Sequence, residues 1–143
     1  MLITLKDMMG IAEKEKIAIG GFNTPNLASL EAVIGAAEEE KLPVILMFAE
    51  CHDEWVPLDL IGPAMLNAAK QATVPVCVHL DHGEHLEYLK KALELGFTGI
   101  MYDGSVLPYE ENVANTKKAV EMAKKYGASV EAELGSMGRR ESG

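Results

Sequence analysis

The chain has 143 residues, a usual length for one domain with its own hydrophobic core, so residues 1–143 are expected to form a single domain. Its 48% apolar and 24% charged residues are ordinary for a globular protein and far from the composition of disordered chains, so the chain is expected to be compact. Thirteen Lys and Arg against 22 Asp and Glu leave a net charge of -9, which opposes non-specific binding to nucleic acid or to anionic lipid.

In chain order, MLITLKDMMGIAEKEK places Lys6 and Asp7 ahead of any apolar stretch, so it is expected to be a short helix and not an export signal. A first strand is expected over Ile17 to Gly21. The turn after it is GGFNTPN, without the GxGxxG of a dinucleotide-binding sheet. Leu27, Leu30, Val33, Ile34 and Ala37 then share one helical face. The second strand, Val44 to Ala49, lies in an apolar run, Leu42 to Ala49, far short of the roughly 20 residues that span a bilayer, so no membrane segment is expected. A third strand follows at Val76 to Leu80, then a helix with Leu86, Leu89 and Leu93 on one face, and a fourth strand at Thr98 to Tyr102. The last helix begins near Pro108, Glu110 and Glu111 and ends near Lys124, Lys125 and Gly127, which suits the helix dipole and a glycine stop. A fifth strand is expected over Ala128 to Leu134. Cys51 and Cys77 have no CxxC spacing, so a reducing, cytoplasmic setting is expected.

Strands alternating with helices imply a parallel sheet. The expected fold class is α/β of the (β/α)8 TIM-barrel type, with only the first five strands and four crossover helices present, because a whole barrel needs about 250 residues. A complete five-stranded flavodoxin-like domain is the alternative. The partial barrel would leave two sheet edges unpaired, which favours self-association or a missing partner half.

Ligands of parallel α/β folds bind at the carboxyl ends of the strands, and those ends are polar here. They carry Asn23; Glu50, Cys51 and His52; Asp81 and His82; Asp103; and Glu131 and Glu133. The stretch VHLDHGEH holds three of the four histidines. His79 and Asp81 share a strand face, while His82 falls where strand gives way to loop. His82, with Glu133 or Asp103, can supply part of a zinc site, and an uncoordinated Asp81 is free to move a proton. His79 is expected to orient a neighbour or to pack in the barrel layer, and His85 to be a solvated residue in the first turn of the next helix. Cys51 is assigned a structural role and His52 is left undecided. Of Glu131 and Glu133, one is expected to bind metal and the other to neutralise a cation or hydrogen-bond a ligand.

The pair of motifs VPVCVHLDHG and SVEAELGSMG, joined by GFTGIMYDGSVLPYEENVANTKKAVEMAKKYG, closely resembles the class II, metal-dependent ketose-bisphosphate aldolases. The resemblance runs from IAIGGFN to the final residues. It implies a zinc-dependent aldehyde-lyase of carbohydrate metabolism and glycolysis that cleaves or forms a ketose 1,6-bisphosphate through a metal-stabilised enediolate. The implied catalytic residues are Asp81 and Glu141, the metal ligands His82, Glu133 and Asp103, and the substrate-facing residue Asn23. The implied cofactor is Zn²⁺, with a monovalent cation as a second candidate ion, and the partners are a phosphorylated sugar and further subunits or a C-terminal half. Two more zinc histidines and a phosphate loop, which the family takes from later strands, have no counterpart before Gly143. The isolated fragment is therefore expected to be inactive. Arg139-Arg140, where the family has glycine and an acidic pair, and Glu50, where it has small hydroxyl residues, depart from the pattern and leave the sugar open. The competing readings are another metal-dependent phosphosugar enzyme, an epimerase or isomerase, and a non-catalytic half barrel that self-associates.

Overall fold

The computed structural model describes residues 1–135. Helix α1 (Leu5–Glu15) precedes five βα-linked strands: β1 (Gly21–Asn23), β2 (Val44–Ala49), β3 (Val76–Gly83), β4 (Gly99–Tyr102) and β5 (Ser129–Ala132). Helices α2 (Leu27–Glu40), α3 (Leu58–Gln71), α4 (Leu86–Leu95) and α5 (Tyr109–Lys124) are the four crossovers, and a 3-10 turn, Glu50–Glu54, leads out of β2. Every strand pairs in parallel with its sequence neighbour, in the order β1-β2-β3-β4-β5.

The helix starts are set by local chemistry. Thr4 Oγ1 accepts from Asp7 N at the head of α1, and Asn26 Oδ1 accepts from Ser29 N at the head of α2, each satisfying a free N–H of the first turn. Helix α4 stops at Gly96, whose φ of 108° is left-handed backbone that favours glycine. For α5 the boundaries fall where the charges and Gly127 place them.

Side-chain alternation sorts the sheet into two faces. Val44, Leu46, Phe48, Val76, Val78, Leu80, Ile100 and Tyr102 pack in one core with the buried residues of all four crossover helices. With every crossover on one face and no reversal of strand order, the sheet is singly wound. This is the curvature of a (β/α)8 barrel, and it removes the flavodoxin-like alternative, which needs helices on both faces. The opposite face, the inner face of the arc, carries Ile45 and Cys77, which are covered by Met8 of α1. Cys77 is fully buried, and desolvation pushes its thiol up to about 11, against a weaker opposing hydrogen bond from Thr98. Helix α1 thus closes the floor of the arc, and the polar strand ends stand above it.

Four of the five expected strands change their bounds, β4 by one residue only, since it begins at Gly99. Residues 17–20 are not in β1: Gly21 pairs with Ile45 and β2 begins only at Val44, so earlier residues have almost no strand beside them. Strand β5 stops at Ala132 because its partner β4 is only four residues long. Strand β3 runs on through Asp81 and His82 to Gly83. Leu27, expected on the packed face of its helix, is the first residue of α2 and is 61% exposed beyond the end of the sheet.

Candidate active site

On β3 the alternation that turns Val78 and Leu80 toward the helices would send His82 the same way. It does not, because the ladder slips: Leu80 pairs with Ile100 but Gly83 pairs with Tyr102, so three steps on β3 oppose two on β4. This is a β-bulge, which inserts one residue and re-aims the side chains beyond it. His82 takes the extra step at φ 44°, in the left-handed region, and its ring turns to the side of Asp81, with Nε2 3.9 Å from Asp81 Oδ1. Gly83 then occupies the helix-facing position. A Cβ there would run into Leu89 Cδ1 and lie 2.9 Å from the Met101 carbonyl.

Around His82 the ends of β4 and β5 converge. His82 Nδ1 lies 2.8 Å from Asp103 Oδ2 and 3.6 Å from Glu133 Oε2. His82, Asp103 and Glu133 can each offer one ligand atom, and these atoms all lie within 4.8 Å of one another. Asp103 is aimed by its own loop: its Oδ1 accepts from Ser105 Oγ at 2.6 Å and from Ser105 N at 3.1 Å, which leaves Oδ2 for His82. Burial works against the His82 cation, but the Asp103 hydrogen bond and the charges of Asp81, Asp103 and Glu133 outweigh it and hold its pKa above the ordinary value. Desolvation likewise opposes the Asp103 anion, yet hydrogen bonds from Ser105 and His82 keep that carboxyl below its usual range. One imidazole and two carboxylates at this spacing are a donor set suited to Zn²⁺, whose charge would balance the excess of carboxylates.

Asp81 sits beside this trio and outside it. It is 8% exposed, and its Oδ2 accepts from Asn23 Nδ2 at 3.0 Å, so the amide from β1 orients the carboxylate from β3. Glu131, one turn of the pleat below Glu133, faces His79 instead of the trio: His79 Nε2 is 3.2 Å from Glu131 Oε2, without hydrogen-bond alignment. The His79 contact, with desolvation opposing, lowers the Glu131 pKa. His52 is tied elsewhere, stacked on Trp55 and edge-on to Phe48, with Nδ1 accepting from Ala49 N. Its pKa is lowered by burial against the pull of Asp81. Glu141 lies outside the described residues.

Three residues to which the sequence assigned no role hold the frame of the site. Glu50 accepts from Glu84 N (2.7 Å) and His85 N (3.2 Å) and pairs with His85 Nδ1 (2.6 Å), pinning the start of α4 to the end of β2. His85 is exposed at the N-cap of α4, as expected for a solvated residue opening that helix, and is paired there with Glu50. Ser105 and Asn112 are the others. The D-x-S spacing of Asp103 and Ser105 is a legible turn signal. Asn112 heads the stripe that continues through Thr116, Ala119 and Ala123, and a polar residue on such a stripe was the available clue.

The family model for class-II fructose-bisphosphate aldolase matches residues 3–143. The chain belongs to that family. A fructose-bisphosphate aldolase of Geobacillus stearothermophilus is 43% identical, covering 98% of this chain and 50% of the relative. One from Giardia intestinalis is 40% identical over 96% of this chain and 43% of the relative. Among solved structures, the YdjI aldolase from Escherichia coli K12 superposes with a TM-score of 0.90 at 37% identity, over 96% of this chain and 54% of that one. The chain thus spans about half the length of the curated relatives it matches. The family is generally metal-dependent, in keeping with the His82, Asp103 and Glu133 cluster. Among the described residues no helix is long and apolar enough to cross a membrane.

Proposed function

We propose that these residues form the β1–β5 side of a zinc-dependent aldolase centre that cleaves or forms a ketose 1,6-bisphosphate, a reaction of glycolysis in the cytoplasm. The observation that carries this reading is the meeting of His82, Asp103 and Glu133 with Asp81 beside the group and outside it, in a chain of this family. His82 and Glu133 would hold the metal, with Asp103 as a third or alternate ligand. When bound, the metal supplies Lewis-acid chemistry, polarising the substrate carbonyl and dispersing the charge left by C–C cleavage.

The chain's own residues do the rest. Asp81, held by Asn23, accepts the hydroxyl proton whose removal starts cleavage and returns it in condensation. The remaining amide hydrogen and carbonyl of Asn23 are open to a substrate hydroxyl. Glu141 moves the second proton, at the carbon left by cleavage. Glu131, already facing a histidine, neutralises a nearby cation, including a monovalent ion accompanying the substrate phosphates.

The test is release of triose phosphate from fructose 1,6-bisphosphate by the full-length protein, before and after chelation. Cleavage that is lost with chelator, restored by Zn²⁺ and abolished in His82→Ala supports the reading. Zinc bound without any triose phosphate released would move the assignment to a phosphosugar epimerase or isomerase.

A further inference from the structure

Asn112 is one of four buried polar residues among the described residues, 5% exposed in the first turn of α5. Its amide lies between the two loops that carry Asp103 and Glu133. Nδ2 donates to the Glu133 carbonyl oxygen at 2.8 Å, while Oδ1 accepts from Thr116 Oγ1 at 3.1 Å. A carbonyl can only accept, so the amide orientation is settled: the nitrogen must face Glu133. On its other side the amide presses on Gly104. A Cβ at Gly104 would collide with Asn112 Oδ1 and lie 2.8 Å from Cγ, so the glycine next to Asp103 is the space this amide occupies. The backbone of Asn112 is itself fixed, its N–H bonded to the Pro108 carbonyl at 2.9 Å.

We propose that Asn112 is a positioning residue: it locks the 103–105 loop and the exit of β5 to the same point of α5 and thereby sets the spacing of Asp103 and Glu133 about a divalent metal. This rests on the metal-centre reading above. Strand pairing between β4 and β5 ends at Tyr102 and Ala132, so it fixes neither Asp103 nor Glu133. The Asp103 N–H still reaches the Gly83 carbonyl at 2.9 Å, and Asn112 holds what lies beyond, packing on Gly104 and bonding the Glu133 carbonyl. A buried amide left without its acceptor is costly, which makes the bond a stiff one. Groups that orient metal ligands from behind typically change metal affinity 10–100-fold when removed.

The experiment is a titration of the full-length protein with Co²⁺ alone, read by its visible absorption band, and with Zn²⁺ in competition. The variants are His82→Ala, Asn112→Asp, Gly104→Ala and Ala123→Gly, with a thermal melt of each. Asn112→Asp replaces the donor to Glu133 with an acceptor at nearly constant shape. Gly104→Ala pushes on the same amide from the other loop and keeps the question open to test if the first variant does not fold. Ala123→Gly, buried on the same helix away from the site, supplies comparable destabilisation without touching either loop. The expected result is a 10–100-fold loss of Co²⁺ affinity and an altered band for Asn112→Asp or Gly104→Ala, with Ala123→Gly like the parent. Folded variants with parental affinity and spectrum overturn the proposal, as does an equal loss in Ala123→Gly. If the parent and His82→Ala bind Co²⁺ alike, the metal centre itself is wrong and this inference falls with it.

Discussion

His82 holds a φ of 44°, a backbone state that costs a residue with a Cβ about 1–2 kcal/mol and that is kept only where its surroundings impose it. Here the surroundings are the bulge and the carboxylates of Asp103 and Glu133, and the result is an imidazole on the same side as Asp81. Asp81 and His82 were legible as a chemical pair because a histidine and a carboxylate at a strand end are unusual in an apolar run. Asn112 was not: its place on the packed stripe of α5 marks it as buried, but nothing in YEENVANTKKAV says that it meets a loop 21 positions away. For Asp81→Asn we expect kcat for aldol cleavage to fall by about 10²–10⁴-fold, as for loss of a general base, with zinc content by elemental analysis unchanged. A second expectation concerns His85. The Glu50 hydrogen bond, with its charge, raises the His85 pKa, while slight desolvation opposes. A raised pKa stabilises the fold fully below the ordinary histidine value of about 6.5 and stops doing so as pH rises through the raised value. Urea midpoints of the parent should therefore decline across that window relative to His85→Gln. A constant difference between the two would remove Glu50–His85 from the stability account.

At the scale of elements, the strands and helices followed from period and punctuation, but their ends did not. Val44–Ala49 was placed to the residue, since a fully buried parallel strand is one unbroken apolar run. Residues 17–20 have the same character and still fall outside β1, because strand length is set by what lies alongside. The bulge in β3 is a register event between two strands and leaves no mark in either alone, although Gly83 is its residue-level trace. Gly83→Ala should destabilise by about 1–3 kcal/mol through overpacking against Leu89 and the Met101 carbonyl. Because relief of that clash must move His82, metal affinity should fall along with the urea midpoint. A variant that loses stability but keeps parental zinc affinity would show that the bulge does not aim His82.

Over the whole arc, β1 and β5 each keep an edge unpaired among the described residues, and beside β1 an apolar groove of about 490 Å³ is lined by Phe22, Val33, Ala36 and Leu42, among others. Phe22 and Leu42 there are 51% and 50% exposed. Exposed edges and apolar surface favour association. Residues 1–143 purified alone should scatter light as more than a monomer and show negligible zinc-dependent cleavage, since His82 is the sole imidazole of the cluster formed by the described residues. Robust turnover by that piece would contradict the proposed division of the site.

By itself the sequence determined the family, the alternation of five strands and four crossover helices, and the residue types available at the strand ends. These are properties of local period and of motifs, written in neighbouring positions. Only the tertiary structure decided that the sheet is singly wound, that a bulge turns His82 inward, that Glu131 faces His79 and not the donor cluster, and that Glu50, Ser105 and Asn112 hold the frame. Each of these depends on which strand or loop lies beside which, a relation between distant residues that no local pattern encodes.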